Sequence, residues 1–269
     1  MVSKVMASIG LFNWVVNFFA FHPYPGNQVD PHLVDPTIQE VFFDSSDGVK
    51  LQAFFIPRPD SDRVVLFLHG NAGNASHRLE DAAHLATLGT NVLLLSYRGY
   101  GKSEGSPSEQ GVYTDGRSAL TYLQLELGFT LDRTVVLGRS IGSAVAIEIA
   151  QGLSSAGLVL VSPFSSGRDF ARAQGLSWIA WLTGEPFNSI EKISRVTAPV
   201  LFIHGERDGI VPIDLGRKLF EQCLSPKTWE PIPGAGHNDL IQRAGAKYWA
   251  GIQEFMDSVA PRKVKVDVN

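Results

Sequence analysis

Ser140, Asp208 and His237 are the residues of this sequence whose types and order could break an acyl bond. A serine hydroxyl attacks a carbonyl only when a histidine takes its proton. That histidine needs a carboxylate to set its tautomer and stabilise its charge. Ser140 lies in Gly138-Arg139-Ser140-Ile141-Gly142, a G-x-S-x-G string. Thr134–Leu137 before it reads as a short buried strand, and Ser143–Ala150 after it as a helix of small and aliphatic residues. A strand–turn–helix elbow of this kind holds the serine out beyond the carboxyl edge of a sheet, beside the positive end of a helix. The glycines follow from the tightness of the turn, where bulkier residues would strike the neighbouring strand and helix.

The other two members lie on later loops, in the order acid then base. Asp208 belongs to His204-Gly205-Glu206-Arg207-Asp208-Gly209 after an apolar run, and Glu206 is the rival carboxylate. Glu206 lies nearer the strand end and reads as a loop salt-bridge partner. His237 sits in Gly234-Ala235-Gly236-His237-Asn238-Asp239, a glycine-rich loop that lets it reach over the sheet edge, with Asp239 at the start of the helix that follows. The loop His69-Gly70-Asn71-Ala72-Gly73-Asn74 and the residue after the serine supply backbone N–H groups for a developing oxyanion, from Asn71 and Ile141. His69 reads as a structural brace. The remaining histidines show no metal-ligand spacing, and Cys223, the single cysteine, reads as a small buried hydrophobe. Tyr97-Arg98-Gly99-Tyr100-Gly101-Lys102-Ser103-Glu104-Gly105 lacks a phosphate-loop pattern and reads as a structural buttress.

These loops need a scaffold. Glu40–Asp44 and Val49–Ile56 predict an antiparallel hairpin. After it, strands alternate with helices: Val64–Leu68, Ser76–Leu88, Asn91–Tyr97, Asp115–Leu127, the elbow, Gly157–Val161, Pro199–His204, Ile213–Leu224, Thr228–Ile232 and Leu240–Val259. Such alternation implies an α/β fold with a mostly parallel central sheet and helices on both faces. Ligands gather beyond the carboxyl ends of such strands, where every motif above lies. Residues 163–198 interrupt the alternation with Phe164, Phe170, Trp178, Trp181 and Phe187, and predict a short helical cap over the serine and an apolar acyl group in the substrate.

A chain of 269 residues with net charge −4 suits one domain, residues 40–260, and shows no basic patch for nucleic acid. Residues 1–25 carry an aromatic-rich apolar stretch, Val5–Phe21, interrupted by Ser8, Asn13 and Asn17. Association of residues 5–21 with a membrane surface is the expectation, with a secretory signal or a helix packed on the domain as alternatives. Residues 27–39 read as irregular, and residues 261–269 as a solvated, partly basic tail.

GRSIG, HGNAGN, YRGYGKSEG, HGERDGIVP and GAGH, in this order, resemble the α/β-hydrolase superfamily across about residues 40–258. The likeness is greatest to the small-cap serine hydrolases that include the membrane-tethered protein depalmitoylases and their microbial relatives. The resemblance implies cofactor-free serine esterase or thioesterase chemistry, with Ser140 as nucleophile, Asp208 as acid, His237 as base, and Asn71 and Ile141 at the oxyanion hole. It also carries a departure, because the acylated cysteine cluster of those depalmitoylases has no counterpart before Cys223. An acyl-protein thioesterase is the alternative substrate reading, and a non-catalytic membrane-associated binding protein of the same fold is the alternative from another class.

Overall fold

The apolar runs Val64–Leu68, Asn91–Ser96 and Gly157–Val161 are buried at every position, as strands covered on both faces must be. The computed structural model describes residues 20–177 and 185–262. Eight strands form one sheet: β1 (Gln39–Asp44), β2 (Lys50–Ile56), β3 (Val64–Leu68), β4 (Asn91–Ser96), β5 (Thr134–Arg139), β6 (Gly157–Val161), β7 (Val200–Gly205) and β8 (Lys227–Ile232). Their spatial order is β1-β2-β4-β3-β5-β6-β7-β8. β2 runs antiparallel to β1 and β4, and all other neighbours are parallel.

Strand alternation sorts the core into two layers. Val64, Leu66 and Leu68 face the helices α2 (Glu109–Leu125), α3 (Ile141–Ala150) and α5 (Ile213–Gln222). Val65 and Phe67 face α1 (Leu79–Thr87), α6 (Leu240–Ala244) and α7 (Ala246–Val259). Cys223 is buried beside the first layer. Among the described residues of the cap segment, α4 (Gly167–Ala173) begins at Ser166, whose side chain accepts from the Asp169 N–H. Phe164 and Phe187 meet edge to face, and the Phe187 N–H donates to the Glu109 carboxylate on α2 at 2.8 Å, so the cap is tied to the domain.

Several boundaries differ from the sequence reading. The helix expected over 240–259 breaks at Gly245, whose φ of 56° no residue with a β-carbon adopts readily. The helix expected from Asp115 begins at Glu109, because Ser108 caps it by accepting from the Gly111 N–H. The one expected from Ser76 opens as a 3-10 turn, Ala75–Arg78, capped by Asn74. Residues 27–39 hold a helical turn, Pro31–Val34, capped by Asp30. Trp178 and Trp181, the tail residues Lys263 and Lys265, and nearly all of Val5–Phe21 lie outside the described residues. Among those described, no helix is long and apolar enough to cross a membrane.

Candidate active site

β5 leads into α3 through a single residue, Ser140, with φ 53° and ψ −120°. Such a conformation is strained for any residue with a β-carbon. Packing on both sides holds it: the Ser140 N–H donates to the Val161 carbonyl at the end of β6, and the Ser143 N–H bonds the Ser140 carbonyl. The glycines are space requirements. A β-carbon at Gly138 would stand 2.3 Å from the Gly142 carbonyl oxygen, and one at Gly142 would stand 2.2 Å from that of Leu68. Ile141 is the first residue of α3, so its N–H is among those a helix leaves unpaired.

Asn71 follows β3, and its N–H has no partner among the described residues. A strap not foreseen from the sequence fixes its loop. His22–Pro23 pairs in parallel with Ala72–Gly73, and the His22 N–H donates to Asn71 Oδ1 at 2.8 Å. Asn74 in turn donates to the carbonyls of Tyr24 and Gly26. Pro25 bridges to Gly101, which places the Tyr97–Gly105 loop behind the strap. Arg98 of that loop is closed by Asp115 and Asp47, and the Tyr97 hydroxyl bonds the His69 carbonyl. These contacts give the loop a structural part. His69 is buried and donates from Nδ1 to the Gly70 carbonyl, and burial pushes its pKa down to about 4.

Beyond β7, Asp208 is buried and accepts twice on Oδ1, from the N–H groups of Ile210 and Val211. Its Oδ2 takes the His237 Nδ1–H at 2.7 Å. Burial alone would raise this carboxyl, but the bond and charge of His237 and the Val211 N–H together hold it below its ordinary range. The rival Glu206 is exposed, and no ion pair of it occurs among the described residues. His204, at the end of β7, donates from Nε2 to the Val211 carbonyl and lies 3.6 Å from Asp208 Oδ2. Burial lowers its pKa and favours the neutral ring, so it braces the acid loop without competing for the carboxylate's charge. Arg139, the residue before the serine, reaches across to the His237 carbonyl at 3.0 Å. That staple was not legible in the sequence, where Arg139 occupies a variable position of the motif. Asp239 accepts the Gly236 N–H at 2.6 Å and closes the histidine loop.

Ser140, His237, Asn71 and Ile141 line one cavity of about 340 Å³. Phe164, Phe170, Leu176, Phe187 and Val211 add an apolar wall, and no Asp or Glu is among the described lining residues. The His237 Nε2 has no protein partner among the described residues, which leaves it open to the cavity. The arrangement can therefore relay a proton between a cavity hydroxyl and an imidazole whose other nitrogen is fixed by a carboxylate.

Comparison with known proteins bears on the family and the fold. The family described as serine aminopeptidase, S33, matches residues 59–192. The alpha/beta hydrolase domain-containing protein WAV2 of Arabidopsis thaliana is 32% identical over 262 residues, covering 89% of this chain and 85% of that protein. Alpha/beta hydrolase domain-containing protein 17C of Xenopus tropicalis is 34% identical over 206 residues, 76% of this chain and 64% of the relative. An esterase of Pyrococcus furiosus superposes with a TM-score of 0.76 at 21% identity, over 90% of this chain and 98% of that one, which speaks for the fold. With its eight-stranded sheet, its elbow after the fifth strand and these relatives, the chain belongs to the α/β-hydrolase superfamily and is related to its domain-containing protein 17 branch.

Proposed function

We propose that the protein is a serine hydrolase that cleaves carboxylic esters or thioesters with an apolar acyl group through an acyl-enzyme. The observation that carries this reading is the His237–Asp208 bond, which leaves His237 Nε2 facing the cavity that Ser140 lines. Ser140 attacks the carbonyl carbon while His237 takes the hydroxyl proton. The N–H groups of Asn71 and Ile141 donate to the carbonyl oxygen as it gains negative charge, and the proton passes to the leaving alcohol or thiol. Water then enters by the same route in reverse and frees the acid. The aromatic wall of Phe164, Phe170 and Phe187 supports an apolar acyl chain.

A peptidase that grips a free amino terminus needs a carboxylate for the ammonium, and the described lining has none. That argues for esters over amino-terminal peptides. Association of the chain with a membrane surface through residues 5–21 remains part of this proposal, resting on the apolar, aromatic composition of that stretch.

The test is hydrolysis of p-nitrophenyl esters from acetyl to palmitoyl, together with fluorophosphonate labelling, in wild-type and Ser140→Ala protein. Turnover and labelling that both vanish in the variant are the expected result. Turnover that survives in Ser140→Ala overturns the mechanism, and a fully inert wild type turns the reading toward a binding protein.

A further inference from the structure

The cavity holds a feature that acyl transfer does not require. Besides the aromatic cap residues, it is lined by two arginines, Arg78 and Arg139. Arg139 spends one nitrogen on the carbonyl of His237 and the Asn238 amide oxygen, both uncharged. Arg78, at the start of α1, is half-buried, and its guanidinium makes no hydrogen bond or ion pair among the described residues. Asp81, one turn along α1, is a carboxylate whose charge acts on both arginines. It lies in a smaller adjoining cavity with Arg139 and within 4 Å of neither guanidinium. Burial and the charge of Arg139 both press the Arg78 pKa down, while Asp81 pulls it up. Outside the described residues, 1–19 and 178–184 contain no Asp or Glu, and 263–269 contain one, Asp267.

Two cations facing one remote carboxylate leave positive charge uncompensated in a partly desolvated space, which is unfavourable until an anion enters. A guanidinium presents a planar fork suited to carboxylate or phosphate oxygens. Within the ester-hydrolase reading above, on which this rests, the cavity has two chemically distinct linings. The cap supplies rings for an acyl chain, and the sheet-edge loops supply guanidiniums. We propose that the site selects acyl esters carrying an anionic group, a carboxylate or a phosphate, near the scissile bond, with Arg78 as the specificity-determining residue and Arg139 as its partner.

The experiment has a kinetic and an equilibrium arm. Hydrolysis of 4-(octanoyloxy)benzoate is compared with that of its neutral methyl ester, in wild type, Arg78→Gln and Arg78→Lys. The anionic-to-neutral ratio of kcat/KM should fall about tenfold in Arg78→Gln, chiefly through KM, and recover in part in Arg78→Lys, since a charged hydrogen bond is lost and then partly restored. Raised salt should shrink the wild-type ratio. In the second arm, thermal shifts of Ser140→Ala protein are measured with octanoate, octyl phosphate and octanol. A larger shift with octanoate assigns a carboxylate, and one with octyl phosphate assigns a phosphate; both should weaken when Arg78→Gln is added. An unchanged ratio, or octanol stabilising as well as either anion, overturns the proposal. Anion binding through Arg78 without turnover of either ester would leave this site standing and sink the hydrolase reading. Turnover of both esters with no Arg78 dependence would do the reverse.

Discussion

Two charge clusters, each built on a buried carboxylate, lie near the same end of the sheet and are finished differently. In the loop after β4, Arg98 is held by Asp115, which is fully buried, and by Asp47. Its Nε also donates to Asp115, whose second oxygen accepts the Arg98 N–H. Every strong donor there has a partner inside the protein. In the loops after β7 and β8, Asp208 is equally enclosed, yet its chain of bonds ends at His237, whose Nε2 faces the cavity. A closed cluster contributes shape. An open one leaves an imidazole nitrogen facing a cavity, where the proposed mechanism needs it. Burial is common to both, so burial and charge alone do not mark a functional site; the unsatisfied end does.

The sharpest way to break this comparison is at the open cluster. Ser140→Ala should lower kcat by about a million-fold, as removal of a triad nucleophile does, with no loss of thermal stability, read by calorimetry beside steady-state kinetics. Asp208→Asn should retain the fold and lose about 10³–10⁴ in kcat, because the amide no longer fixes the His237 tautomer. A loss under tenfold would remove Asp208 from its assigned part.

The closed cluster should answer in the other currency. Arg98→Met leaves Asp115 buried without its cation and should destabilise the protein by about 3–5 kcal/mol in urea unfolding. Activity per folded molecule should stay within a few-fold. A collapse of kcat in folded protein would show that the two clusters are coupled.

Acid sharpens the contrast further. His69 is buried with its pKa lowered to about 4, against an unfolded value near 6.5. Between those values the unfolded chain binds the proton that the folded one refuses. Stability is therefore full above about pH 6.5 and declines as pH falls toward 4. His204, also lowered by burial, adds to that decline. Asp47 is held at about 2 by its hydrogen bonds from Arg98 and Ser45, so its contribution persists until pH drops below about 4. Thermal melts of wild type should thus soften first in the histidine window. His69→Gln should flatten that limb and leave the lower one in place. An identical pH profile in the variant would exclude His69 as the source.

The chemistry-bearing strings were legible because each is local. Gly138-Arg139-Ser140-Ile141-Gly142, the Asp208 loop and the His237 loop sit within a few residues of a strand end. The alternation of Val64–Leu68 with its neighbours was enough to order strands and helices. Residues whose work is done across the fold were not legible. Arg139 meets His237 from 98 positions away, and His22 meets Asn71 from 49. No periodicity records such contacts. Helix starts were misplaced where a side-chain cap, such as Ser108 or Asn74, set the boundary. The break at Gly245 was hidden because apolar spacing continues through it.

Ser140 has a consequence for how such a protein ages in evolution. Its backbone sits at φ 53° and ψ −120°, a region that glycine enters freely and serine does not. A drift to glycine at this position would relax the chain and erase the hydroxyl in one step. Thermostability and turnover therefore pull in opposite directions at this one residue. On the proposed mechanism, a lineage that no longer needs the reaction has a downhill path out of it through this single position.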